Sequence, residues 1–184
     1  MAVFLGVGAL SLGAASSVIN SISTLTLNIY TLSSNIKLSK SIFHNEIKDV
    51  LVRTDLDASL KLLQSIIIEI PQYYPVENLS IVIALKNMQE IIQCVESEMK
   101  NIYEQMKYNN DLYLLKNLRS YDFKSELRIL EAYVNVMEKR KDNLFKTLEL
   151  FKNCNKTNTP NKKLLMIAQI ENSIFEIDEE STIM

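Results

Sequence analysis

The stretch IVIALKNMQEIIQCVESEMKNIYEQM, Ile81 to Met106, places apolar residues at alternating steps of four and three: Ile81, Leu85, Met88, Ile92, Val95, Met99, Ile102 and Met106. That spacing gathers those side chains on one stripe of an α-helix, with lysine, glutamate, glutamine and asparagine on the remaining faces. At 1.5 Å per residue the element should span about 45 to 50 Å. Each side chain of such a stripe left in water forgoes roughly 1.5 to 3 kcal/mol, so the helix needs partners carrying stripes of their own.

Matching stripes lie on both sides of it. Upstream, Val18, Ile22, Leu25, Ile29, Leu32 and Ile36 step by four and three, followed by Phe43, Ile47 and Val50, with Lys40 the missed step. The phase then slips by one residue and resumes at Leu56, Leu60, Leu63, Ile67 and Ile70, which predicts a kink or stutter near Thr54. Pro71-Gln72-Tyr73-Tyr74-Pro75 forms a corner. Downstream, Asn109-Asn110-Asp111 predicts a break, Leu112 to Arg119 a short segment, and Tyr121-Asp122 the start of another helix. Its stripe is Phe123, Leu127, Leu130, Val134, Met137, Leu144, Leu148 and Phe151, interrupted only by Lys141. The polar loop Asn153 to Asn161, with Pro160, should end it. An amphipathic piece, Leu164 to Ile177, then leads into an acidic tail.

The expected fold is all-α: an antiparallel four-helix bundle with an apolar, glycine-containing N-terminal segment and a short additional C-terminal helix. Residues 1–15 form the apolar membrane-seeking segment, 16–153 the helical bundle, and 154–184 a polar linker, short helix and acidic tail. Ser33-Ser34-Asn35 supplies cap chemistry, and a turn there gives four helices of similar length. The heptad phase, unbroken across Ile36, points instead to one rod from about Ala15 to Arg53.

Composition agrees with one globular domain, at 184 residues, 47% hydrophobic and 23% charged. A net charge of -2 gives no global pull toward nucleic acid, and none is expected as a partner. The average hides blocks: Lys37 to Met106 carries seven basic and ten acidic residues, Lys107 to Lys163 thirteen and seven, and Leu164 to Met184 none and five. Cys94 and Cys154 make no disulfide framework, and free thiols are expected. His44 is the only histidine, so histidine-rich metal sites and the Glu-x-x-His pairs of di-iron bundles are excluded. Gly6-Val7-Gly8 has the glycines of a phosphate loop but neither its lysine nor its strand–turn–helix setting. No catalytic residue, cofactor or metal is expected, and the chain does not read as an enzyme.

The strongest functional signal is at the front. No charged side chain occurs from Met1 to Ile36, and all three glycines, Gly6, Gly8 and Gly13, fall within its first thirteen residues. Val3, Phe4, Leu5, Gly6, Val7, Gly8, Leu10, Leu12 and Gly13 are the candidate membrane-inserting residues, in a mixture of bulky and small side chains that resembles retroviral fusion peptides in composition. An ionised group costs about 2.5 to 3.5 kcal/mol at a bilayer centre on insertion scales, so its absence makes transfer feasible. Between Ser16 and Asn35, Ser, Thr and Asn alternate with the apolar stripe and could line a water-filled pore.

Three other readings fit the same residues. A helix buried on all sides needs no charge either. A secretory signal peptide would use Val3 to Leu12 as its apolar region and Gly13-Ala14-Ala15 as its cleavage site, although the basic leader is missing. The protein would then be secreted, with Asn78-Leu79-Ser80 and Asn155-Lys156-Thr157 as glycan acceptors. A permanent transmembrane anchor is the third, but continuous apolarity stops short of the usual ~20 residues.

The run from Ala84 to Val95, the polar Asn109-Asn110-Asp111, then Leu114-Leu115-Lys116-Asn117-Leu118-Arg119-Ser120 and Leu127-Arg128-Ile129-Leu130, resembles a known layout. It is similar to helix three, short helix and helix four of the four-helix cell-death domains: the plant mildew-resistance coiled-coil domain, the N-terminal bundle of mixed-lineage kinase domain-like protein, and the fungal HeLo domain. Leu5-Gly6-Val7-Gly8-Ala9-Leu10 resembles the N-terminus of the plant and fungal members. The resemblance implies a membrane-permeabilising bundle, cytoplasmic and membrane-associated when active, released on oligomerisation with itself or with a related bundle protein. It also implies that Lys139, Arg140, Lys141, Lys146 and Lys152 meet the headgroups of an anionic phospholipid membrane. Independently of any family, each lysine near an anionic leaflet contributes about 1 kcal/mol, whereas the same cluster in solution is simply a solvated helix face. The chain carries no kinase, nucleotide-binding or amyloid-forming extension, which suits a stand-alone effector or a decoy that blocks a relative. The tail residues Glu171, Glu176, Asp178, Glu179 and Glu180 could fold over the basic helix and compete with lipid. The alternative is a soluble helical protein–protein interaction module, viral or secreted, with no membrane activity.

Overall fold

The computed structural model describes residues 4–39, 44–70, 79–111 and 122–156, with side chains except those of residues 4–15, 44, 111, 155 and 156. Among the described residues it is all-helical: α1 (Phe4–Leu38), α2 (His44–Arg53), α3 (Leu56–Ile68), α4 (Leu79–Asp111) and α5 (Lys124–Lys156). These helices share one hydrophobic core, in which α4 packs against both α1 and α5, while α2 and α3 bridge α1 to α5.

The α4 stripe forms the spine of that core. Ile81, Leu85, Met88, Ile92, Val95, Met99, Ile102 and Met106 are all buried. Phe123, just before α5, and Leu127, Leu130, Val134, Met137, Leu144 and Phe151 on it are buried, and Leu148 packs against them. Asp122 opens α5, its Oδ1 accepting the Lys124 backbone N–H at 2.9 Å, which satisfies one of the amides a helix start leaves bare.

Two helix boundaries differ from the sequence expectation. The turn at Ser33-Ser34-Asn35 is absent; α1 runs through it to Leu38, where Ser39 N–H donates to the Asn35 and Ile36 carbonyls. Ser33 is buried and donates across to α3 rather than capping a new helix, so its hydroxyl serves packing instead of chain reversal. The longer rod to Arg53 is not formed either, because α2 starts afresh at His44. Asn109-Asn110-Asp111 are the last residues of α4, with Asn109 Nδ2 donating to the Gln105 carbonyl at 2.9 Å, whereas α5 continues past Asn153 to Lys156. α1 crosses residue 15 without a break.

The predicted disturbance near Thr54 is present. Thr54 Oγ1 donates back to the Val50 carbonyl at 2.9 Å, and Asp55 adopts the left-handed conformation with φ 46°, which separates α2 from α3. Aspartate tolerates that conformation better than most residues, since its short polar side chain can bond locally. The one-residue slip in the stripe is thereby absorbed at a joint, and Leu56, Leu60, Leu63, Ile67 and Ile70 all reach the core.

Hydrogen bonds between helices give their directions. Gln89 Nε2 donates to Ser21 Oγ at 2.8 Å and Asn28 Nδ2 to Glu96 Oε1 at 3.3 Å; both pairs are 68 residues apart, so α1 and α4 run the same way. Arg140 reaches Asn87 and Glu90 while Glu126 lies near Glu98, so α4 and α5 run in opposite directions. The Pro71 to Pro75 corner, the Leu112 to Arg119 segment, the Leu164 to Ile177 helix and the acidic tail lie outside the described residues.

Candidate functional site

Of the candidate inserting residues, Val3 lies outside the described residues. Phe4, Leu5, Gly6, Val7, Gly8, Leu10, Leu12 and Gly13 lie on the backbone of the first turns of α1. They continue without interruption into the part of α1 that builds the core, where Val18, Ile22, Ile29 and Ile36 are buried. Among the described residues, no helix is long and apolar enough to cross a membrane.

The polar residues of α1 divide between two environments. Thr24, Asn28 and Thr31 are exposed, whereas Thr26 and Ser33 are buried and Leu25 and Leu32 are only partly so. The core stripe of α1 thus takes hydroxyls where the heptad supplied leucines. Thr26 Oγ1 donates to the Ile22 carbonyl at 2.8 Å, which satisfies the hydroxyl without any cross-helix acceptor and lets a neighbour pack closely. A pore lined by the whole Ser/Thr/Asn face is therefore not the arrangement seen here, since Thr26 and Ser33 face other helices.

The charge-free stretch ends at Lys37, and this first charge is engaged at once. The Lys37 ammonium pairs with the Asp57 carboxylate in the first turn of α3. Ser33 Oγ donates to the other carboxylate oxygen, Oδ1, at 3.1 Å, and the Tyr30 hydroxyl donates to the Asp57 carbonyl at 3.0 Å. Burial, and then the Asp57 charge, push the Tyr30 phenol above its ordinary value, which keeps its proton in that bond. Sequence reasoning missed this group. The only available signal was a serine and a lysine four residues apart on a helix, which does not indicate a carboxylate twenty residues downstream.

The basic cluster of α5 is split. Lys139, Lys146 and Lys152 are exposed. Arg140 is largely enclosed, donating to the Asn87 carbonyl and lying 3.8 Å from the Glu90 carboxylate. Lys141 is only 6% exposed, and its ammonium donates to Ser59 Oγ at 3.3 Å and to Glu138. Arg140 and Lys141 thus have intramolecular partners in the folded chain, unlike the exposed members of the expected headgroup-binding cluster. The heptad had already flagged Lys141 by placing it at a core step.

Two shallow grooves flank α5. One, of about 420 Å³, is lined by Glu90, Gln93, Cys94, Ser97, Glu98 and Tyr133; the other, of about 360 Å³, lies between α2 and α5 with Glu46, Arg53, Lys124, Arg128 and Glu131 among its lining. Burial raises the Glu98 carboxyl above the ordinary carboxylate value; an Asn101 hydrogen bond opposes the rise and the Glu126 charge adds to it. No disulfide joins Cys94 on α4 to Cys154 on α5. His44 opens α2, and among the described residues no cluster of side chains suited to a metal ion is present. No family model, no curated protein and no solved structure matches the chain.

Proposed function

We propose that the chain is a membrane-directed helical bundle whose uncharged N-terminal segment inserts into and permeabilises anionic membranes, as a cell-death or defence effector or as a decoy regulator of one. One observation carries this reading: a single helix joins the charge-free N-terminal segment to the core and meets its first charge only at Lys37, close to its far end. The upstream turns can enter a headgroup boundary with no ionised group to desolvate, and an apolar helix face settles there without spanning the bilayer. The exposed Lys146 and Lys152 can meet anionic headgroups, and Lys139 is exposed on the same helix. The directions of α1, α4 and α5 support the antiparallel four-helix arrangement, with α2 and α3 together as its second, jointed member, and the resemblance to the cell-death bundles belongs to the same proposal.

Dye release from anionic liposomes tests it. The intact chain should release dye and a chain lacking residues 1–15 should not; equal release by both would remove the segment from the mechanism. The burial of Val18, Ile22, Ile29 and Ile36 favours a second reading, in which α1 is purely a bundle helix of a soluble interaction module. That reading predicts no release by either chain and loss of fold in the shortened one.

A further inference from the structure

We infer that Asp57 is a clasp that holds α1 in the bundle and that its opening is the step that frees α1. Three α1 side chains, one turn apart, converge on this residue: Tyr30 on its carbonyl, Ser33 and Lys37 on its carboxylate. Ser33 is 1% exposed, so its hydroxyl bond forms away from water, while the Lys37 and Asp57 side chains remain 34% and 39% exposed and can be reached from solvent. The clasp sits beside the joint between α2 and α3. Asp55, two residues before it, is the left-handed joint between α2 and α3, and the α3 start has no side-chain cap. Two residues after it, Ser59 accepts the buried Lys141 ammonium of α5. The first turn of α3 therefore links α1 on one side with α5 on the other, and a movement at the joint bears on both.

The restraint is specific to α1's charged end. Further along, α1 is held to α4 by the apolar core that buries Val18, Ile22, Ile29 and Ile36, and by the Gln89 to Ser21 and exposed Asn28 to Glu96 bonds, so the clasp adds the charged restraint at the Lys37 end. Breaking the clasp should therefore make local opening of α1 more frequent, with α4 and α5 left packed on each other. In its consequence for membranes this inference rests on the insertion reading above.

Amide hydrogen exchange on the full chain tests it, with Asp57→Ala, Lys37→Met and the double variant compared with the unaltered protein. Exchange in residues 16–36 should rise about three- to tenfold in each single variant, as expected for a half-exposed ion pair supported by a buried hydroxyl, with α4 core amides unchanged. The double variant should add little to either single one, because Lys37 acts through Asp57. Ser33→Ala, too mild to unfold the chain, should give a smaller rise in the same segment. Unchanged exchange in α1, additive effects, or an equal rise through α4 and α5 would each overturn the clasp. Anionic-vesicle dye release by the same variants separates the two proposals: α1 loosened with more release supports both, and α1 loosened with no release keeps the clasp and removes the insertion reading.

Discussion

Lys141 sits where the α5 repeat calls for an apolar residue, and the fold accepts it by giving its ammonium Ser59 and Glu138 as partners. Methionine keeps the buried volume, and the Glu138 carboxylate, 37% exposed, can take water in place of the ammonium, whereas alanine leaves a cavity. Lys141→Met should accordingly unfold at the same or a higher urea concentration than the unaltered chain, and Lys141→Ala should lose about 2 to 4 kcal/mol. A large loss with methionine would mean that the charge itself is required. Glu98 offers a pH-dependent counterpart. Its raised carboxyl keeps a proton in the fold at pH values where the unfolded chain has already released it, so this group favours the fold as pH falls toward the carboxylate range and opposes it at neutrality. Glu98→Gln should raise Tm at neutral pH, and the gain should shrink as the medium is acidified; a gain independent of pH would assign the effect to packing.

Among the elements, α4 and α5 were legible because burial there follows the four-three repeat almost residue for residue. Ile92→Ala should cost about 2 to 5 kcal/mol in chemical denaturation, whereas Leu27→Ala, on the exposed side of α1, should stay within about 0.5 kcal/mol. The α2–α3 joint was legible too, since a one-residue slip in the stripe must be absorbed somewhere. α1 was read less well. Its repeat predicted Leu25 and Leu32 in the core, but Thr26 and Ser33 take those places because a hydroxyl bonded within its own helix, or to Asp57, can be buried without penalty. The same serine was read as the start of a turn, since cap chemistry and cross-helix bonding use the same group and only tertiary context separates them. Arg140 and Lys141 were grouped with their exposed neighbours because a run of basic residues in sequence spreads over several faces of a helix.

At the scale of the whole molecule, α1 carries charge-free leading turns into the core of a charged bundle and meets its first charge at Lys37. The fold class was legible in the stripes; the clasp was not, because its residues are far apart in sequence. The most direct test places charge in the leading turns. The full-length chain and a Val7→Asp, Leu10→Asp variant should be compared for dye release from anionic vesicles, with the fold of each verified by urea denaturation. Each carboxylate adds about 2.5 to 3.5 kcal/mol to transfer at a bilayer centre, so the variant should stay folded and release little dye while the unaltered chain releases it. Equal release by both, or none by the unaltered chain, would contradict the account.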